Sequence, residues 1–180
     1  GHERADLPNI LSRNFVATKP AEKWVTDITE FNPGGKKVYL SAMMDLFNNE
    51  IVAYHISRHP DLELVSETIA RAIQGRDVRG LTLHSDQGGQ YAAKSFGTLL
   101  KNFGIIQSMS RRGNCLDNAC IESFFGHLKC EMWHGRKYRS VAELYFAIND
   151  YIRFYNTERI QAGLQKMTPV EYGSHHNFCA

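Results

Sequence analysis

The sequence predicts an α/β domain in which helices cover both faces of one mixed, five-stranded sheet. Three observations predict it: strand-like runs joined by tight turns over residues 24–57, helical stripes that begin only after residue 61, and short apolar strand-like runs between those stripes. A chain of 180 residues that is 43% hydrophobic is long enough for one well-buried core and short for two, so a single domain is expected.

Residues 1–20 mix Pro8, Pro20, charges and short apolar pieces without a sustained period, and read as an extended leader in which Gly1 and His2 look like a cloning remnant. Residues 21–172 read as the core and 173–180 as a tail. WVTDITEF alternates and is rich in β-formers, NPGG at Asn32 to Gly35 is a turn, and KKVYLSAMMDLF is a second strand. Asn48 and Asn49 then turn the chain into EIVAYHIS. Turns this short leave no room for a crossover, so the three strands must be antiparallel.

Asp61 is suited to cap a helix whose stripe is Leu62, Val65, Ile69 and Ile73. LTLHSD (81–86) reads as a short buried strand, followed by two glycines and a helix with Phe96, Leu99, Leu100 and Phe103 facing inward and Gly104 closing its end. IIQSMS is a fifth strand. RRGNCLDNA leads into a long helix with the stripe Ile121, Phe124, Phe125, Leu128 and Met132. The last expected helix opens with a capping box from Ser140 to Glu143 and buries Val141, Leu144, Ile148 and Ile152. This order of elements matches the ribonuclease H-like fold, a match of order that by itself establishes no chemistry.

A formal net charge of +2 neither demands nor excludes a nucleic-acid partner. The four cysteines (Cys115, Cys120, Cys130, Cys179) form no CxxC pair, which fits a reducing, cytoplasmic setting. No apolar run approaches the roughly 20 residues of a membrane span, and nothing resembles a signal peptide.

Three acids stand out by position. Asp27 lies mid-strand in the first element, Asp86 ends the fourth strand, and Glu122 lies in the helix after the fifth. If strands one and four are parallel neighbours, the two aspartates approach each other at the end of the sheet where α/β folds bind ligands. Clustered carboxylates raise one another's pKa, and a divalent cation relieves that repulsion. Hard oxygen ligands favour Mg²⁺ or Mn²⁺, and two ions about 4 Å apart suit phosphoryl transfer, one activating the attacking oxygen and one stabilising the leaving oxygen. Taken singly, each acid also reads as a strand end, a turn or an exposed helix position. Their surroundings argue otherwise: Val25 and Ile28 flank Asp27, Gly88 and Gly89 follow Asp86, and Asn118, Gly126 and Lys129 share the helical face of Glu122. His84, two residues before Asp86, reads as a supporting neighbour rather than a base.

Positive charge gathers in Arg111, Arg112, Lys129, Arg136, Lys137 and Arg139 against Asp117, Glu122 and Glu131. This stretch suits DNA phosphate, with a solvated helix face as the plain alternative, and its Trp133 and Tyr138 suit either base stacking or core packing. Cys115, Cys120, His127, Cys130 and His134 fit zinc poorly, because they lack paired knuckles and Cys120, His127 and Cys130 spread around a helix.

The motifs WVTDITEF, HSDQGGQY and GNCLDNACIESFFGHLK resemble the three acidic blocks of retroviral-integrase-like DDE transposases. The 35 residues between the second and third acids, with a lysine seven after the glutamate, resemble the bacterial insertion-sequence group called the IS-three family. RNF (13–15) and YNTERIQAGLQKMTPVEY extend the similarity from about Asn14 to Tyr172. The resemblance implies a ribonuclease H-like DNA transposase, a polynucleotidyl transferase that cleaves 3′ ends and transfers the strand. It implies Asp27, Asp86 and Glu122 as the catalytic, metal-binding triad with two Mg²⁺ or Mn²⁺ ions, and Lys129 as a DNA contact. Element ends and target DNA are the implied partners, with a homo-oligomer forming on DNA in the bacterial cytoplasm at the nucleoid, no membrane involvement, and end recognition supplied by helical regions ahead of this core. Gln161 stands where many relatives have histidine and receives no role. A nuclease of the same fold without strand transfer, and an inactive DNA-binding remnant, are the competing readings.

Overall fold

The computed structural model describes residues 7–111 and 115–177. Five strands form one sheet in the order β3-β2-β1-β4-β5, with β1 at Lys23–Phe31, β2 at Val38–Asp45, β3 at Ile51–Ser57, β4 at Thr82–Ser85 and β5 at Ile106–Met109. The first three strands are antiparallel, and β4 and β5 run parallel to β1, as short turns early and helical crossovers later require. Between and after them lie α1 (Leu62–Ile73), α2 (Lys94–Asn102), α3 (Ala119–Leu128), α4 (Val141–Thr157) and α5 (Pro169–Asn177).

The central strand must be apolar on both faces, and it is: Trp24 and Val25 are adjacent in sequence, point to opposite sides and are both fully buried. On one side Val25, Phe31, Leu40 and Ala42 pack under α3 and α4 through Ile121, Phe124, Leu128, Leu144 and Ile148. On the other, Trp24, Met43 and Leu83 pack under α1 and α2 through Val65, Ile69, Phe96 and Leu100. Asp61 Oδ1 accepts from Leu64 N at 3.1 Å and Ser140 Oγ accepts from Glu143 N at 3.1 Å, so both expected caps form.

Four details depart from the sequence reading. Phe103 is 39% exposed, because α2 ends at Asn102 and the backbone turns away toward Gly104, whose φ of +70° suits a residue without Cβ. Val141 is only partly buried, since it occupies the first residue of α4. The long third helix changes character at Lys129, where a π-helical turn, Lys129–Trp133, continues it. A further helix, α5, runs through the position where core and tail were divided; Thr168 Oγ1 accepts from Glu171 N at 3.2 Å while Glu171 Oε2 accepts from Thr168 N at 2.9 Å, a reciprocal capping box.

The segment before β1 is tied to the sheet. Met109 N donates to the Pro8 carbonyl at 3.2 Å, Ile10 N and Leu11 N both donate to Ser108 Oγ, and Leu11 is buried. Among the described residues no helix is long and apolar enough to cross a membrane.

Candidate active site

The parallel pairing of β1 with β4 ends at Val25 opposite His84. Continuing that register by two residues brings Asp27 level with Asp86 on strands spaced about 4.8 Å apart, and both carboxylates emerge where β4 stops. Asp27 Oδ1 accepts from Ile28 N and Asp86 Oδ1 from Gly88 N, each at 2.8 Å. A Cβ on Gly88 would lie 2.9 Å from Asp86 Oδ1 and 3.0 Å from Gln90 Oε1, so the turn that presents Asp86 has no room for a side chain there.

Glu122 is exposed on the first turn of α3, and α3 is pinned to β1 by Asn118, whose Nδ2 donates to the Thr26 carbonyl at 3.2 Å. The three acids feel one another. Burial pushes Asp27 up to about 7, with the charges of Asp86 and Glu122 adding to the rise and the Ile28 amide opposing it. Burial and then the charge of Asp86 raise Glu122 as well. Tyr91, fully enclosed against this site with its hydroxyl 3.5 Å from Thr26 Oγ1, is held well above the usual phenol range by burial and by Asp27.

Among the described residues no three acid, histidine or cysteine side chains are arranged to hold a metal ion as they stand. The donor set nevertheless fits a hard divalent cation: two facing aspartates, a flexible glutamate one helical turn beyond Asn118, and mutual repulsion that a cation relieves. Asn118 Oδ1 adds to the fit. It is buried without a hydrogen-bond partner, and the Thr26 carbonyl fixes the amide so that this oxygen cannot exchange places with the nitrogen.

The remaining expected site residues fall in different places. His84 is fully buried with Nδ1 2.8 Å from Ser108 Oγ and Nε2 3.0 Å from Ser110 Oγ. Ser108 Oγ already accepts two backbone N–H groups, so its own proton goes to Nδ1, and Nε2 donates to Ser110. Burial lowers the His84 pKa, consistent with this neutral form. Lys129 Nζ lies 5.5 Å above the Phe31 ring, two turns along the helix from Glu122. The Arg111 guanidinium is engaged by Asp117 (Nε 3.1 Å, Nη2 3.0 Å), whereas Arg112 lies outside the described residues. Arg136, Lys137 and Arg139 are exposed between the π turn and α4. Trp133 and Tyr138 stack on each other with centroids 5.4 Å apart, so their faces serve packing.

Sequence reasoning missed the role of Asp117. Its buried carboxylate accepts from Arg13 Nε at 2.8 Å, from Asn9 Nδ2 at 3.0 Å and from the backbone N and guanidinium of Arg111, which together hold it well below the usual carboxylate range. The sequence signal was faint: the partner arginines lie 104 and 6 residues away, and the nearer one had been read as a phosphate contact.

A five-stranded mixed sheet clad by helices, with one acid midway along the central strand and another just past the carboxyl end of its parallel neighbour, defines a ribonuclease H-like domain with a carboxylate site. The solved HTLV-2 integrase catalytic core domain, in a structure described as a complex with magnesium, shares this fold at a TM-score of 0.64 and 16% identity, over 88% of this chain and 99% of that one. Integrase core domain profiles match residues 17–115 and 122–176. The putative transposase InsK of insertion sequence element IS150 from Escherichia coli K12 is 47% identical over 92% of this chain, which spans 59% of that protein's length. A transposase-like protein of Haemophilus influenzae is 47% identical over 91% of this chain and 76% of its own length. The chain belongs to the integrase core domain family and is similar over about nine tenths of its length to insertion-sequence transposases of the IS-three group.

Proposed function

We propose that this chain performs 3′-end cleavage and strand transfer of an insertion sequence, with Asp27, Asp86 and Glu122 holding two Mg²⁺ or Mn²⁺ ions. The observation that carries the reading is the β1–β4 register, which sets half-buried Asp27 level with Asp86 beside the helix that bears Glu122; the charges of both neighbours add to the rise of the Asp27 pKa. Acids gathered this way hold a proton more readily than an isolated carboxylate does, and a divalent cation answers the same excess of negative charge. The magnesium named for the HTLV-2 integrase structure supports the same choice of ion. Bound there, the ions would activate an attacking water or 3′ hydroxyl and stabilise the departing oxygen.

The chain's own groups do the rest. Asp27 and Asp86 approach from rigid strands, Gly88 keeps the Asp86 turn tight, and Glu122 swings in from an exposed helical face. Asn118 supplies an amide oxygen at the base of that helix. Lys129, Arg136, Lys137 and Arg139 are proposed to meet DNA phosphate, with Arg111 contributing through whatever N–H capacity Asp117 leaves it. Element ends and target DNA are the proposed substrates, with a homo-oligomer of this chain assembling on the DNA.

The test is incubation with pre-cleaved element ends, Mn²⁺ and a plasmid target. Joined products, lost on Asp86→Asn, are expected; nicking without joining would leave only a nuclease, and no Mn²⁺-dependent product of either kind would refute the reading.

A further inference from the structure

Beyond the acid site, the fold assembles a cluster of cations that no stretch of sequence contains. The turn between β1 and β2 carries Lys36 and Lys37, and Arg58 follows β3. Arg58 Nε donates to the Lys37 carbonyl at 2.8 Å, so these two segments touch. The Arg139 carbonyl would lie 3.8 Å from a Cβ on Gly34, which brings the loop before α4 onto the same turn. Lys36, Lys37, Arg58, Lys137 and Arg139 are all exposed.

An aromatic strut holds this rim in place. Phe31, the last residue of β1, meets Trp133 edge-on at 5.1 Å; Trp133 stacks on Tyr138 at an interplanar angle of 4°; and Tyr138 Oη donates to the Met132 carbonyl at 2.7 Å. The Tyr138–Arg139 corner is therefore fixed against the end of β1. Lys129 sits over the same Phe31 ring, which makes the cations continuous with the helix that carries Glu122.

Compensating acid is scarce. Glu30 pairs with Lys37 at 3.2 Å, and Glu143 spends a carboxylate oxygen on the Arg139 backbone amide at 2.8 Å. Among the described residues Lys36, Arg58 and Lys137 show no ion pair. Like charges gathered on a braced rim repel one another, and a polyanion relieves that repulsion.

We propose that Lys36, Lys37, Arg58, Lys137 and Arg139 form a rail for the phosphate backbone of duplex DNA flanking the reacting phosphate. This rests on the proposed function, because it takes the acids as the place where DNA reacts. Phe31 is four strand residues from Asp27, about 13 Å, so the rail begins roughly four base pairs of helical rise from the acids. Lysine and arginine ammonium and guanidinium groups on a braced surface suit backbone rather than base recognition, so the rail reads no sequence.

The experiment compares the unmodified chain with Lys36→Glu/Arg58→Glu by fluorescence anisotropy on two random-sequence duplexes, one of about 8 and one of about 30 base pairs, over a salt series. An unchanged melting temperature of the variant verifies that it folds, and Lys36→Gln/Arg58→Gln repeats the comparison without reversed charge. The rail predicts that the long duplex is bound at least tenfold more weakly by the Glu variant, and that the slope of log K against log salt falls by about 2 for the Gln variant. The short duplex should be bound nearly alike by all three. Steep, length-dependent binding by the unmodified chain with no change in either variant would overturn the rail and leave the transposase reading standing. Absence of salt-dependent duplex binding by the unmodified chain would bring down both.

Discussion

Asp117 is fully buried and Asp27 half-buried, and the fold drives their pKa values in opposite directions. Asp117 has no exposed side-chain surface and is gripped by Arg13, Arg111 and Asn9, so its charge is satisfied from within and its pKa falls. Asp27 is offered one backbone amide and two neighbouring acids, and its pKa rises to about 7. A buried acid given cations by its own chain is a structural joint. A half-buried acid set beside other acids is a site that needs charge from outside. The two lie close together in the design: Asp117 fixes the residues just ahead of α3, and α3 carries Glu122 over Asp27.

The comparison breaks most visibly in activity. Glu122→Gln, Asp86→Asn and Asp27→Asn should each lower Mn²⁺-dependent joining at least about 10²-fold in a plasmid assay, the scale of losing one electrostatic stabiliser of a transition state. Asp117→Ala should act on stability instead, lowering the unfolding free energy by about 1–2 kcal/mol in chemical denaturation, because it removes the one buried acceptor shared by Asn9, the Arg111 amide and two solvent-facing arginines.

The pH dependences should have opposite signs. Asp117 has a depressed folded pKa, so its contribution is present above the ordinary carboxylate pKa near 3.8 and is lost as the pH falls through its lower folded value. Asp27 has a raised folded pKa, so the stability tied to its protonated form is full below about pH 4 and is lost as the pH rises through about 7. In metal-free buffer Asp27→Asn should therefore match the parent near pH 4 and exceed it by about 2 kcal/mol at pH 8. A parent-like melting curve at pH 8 would remove the claimed repulsion. The smallest effect belongs to Lys129→Ala, which should weaken duplex binding roughly threefold and reduce the salt slope by about 0.9; an unaltered slope would take Lys129 off the phosphate path.

Much of this was legible because the signals were local and periodic. Trp24 through Phe31 reads as a strand, and the short connections around Asn32 and Asn48 forced antiparallel pairing; crossover topology permitted β1 and β4 to be parallel neighbours, and the sheet order makes them so. Helix starts at Asp61 and Ser140 were readable from their caps; Thr168 and Glu171 carried the same signal for α5, but nine residues without a strong apolar stripe hid it. What stayed hidden depends on tertiary contact. Leu11 has no periodic partner to mark it as core, although it is 3% exposed. Arg13 finds Asp117 across 104 residues, and Lys36 and Arg58 become neighbours of Arg139 only when strands and loop close on one rim. Arg111 shows a second role the sequence did not signal: a charged residue in a basic stretch reads as a phosphate contact, and its ion pair with Asp117 appears only in the fold.

The most direct test of the central claim is anomalous diffraction from crystals of this chain equilibrated with Mn²⁺. The account predicts a manganese peak between Asp27 and Asp86, within about 2.2 Å of an oxygen from each, with the Glu122 carboxylate turned toward the same pocket. Saturating Mn²⁺ that leaves no peak in contact with Asp27 and Asp86 would contradict it.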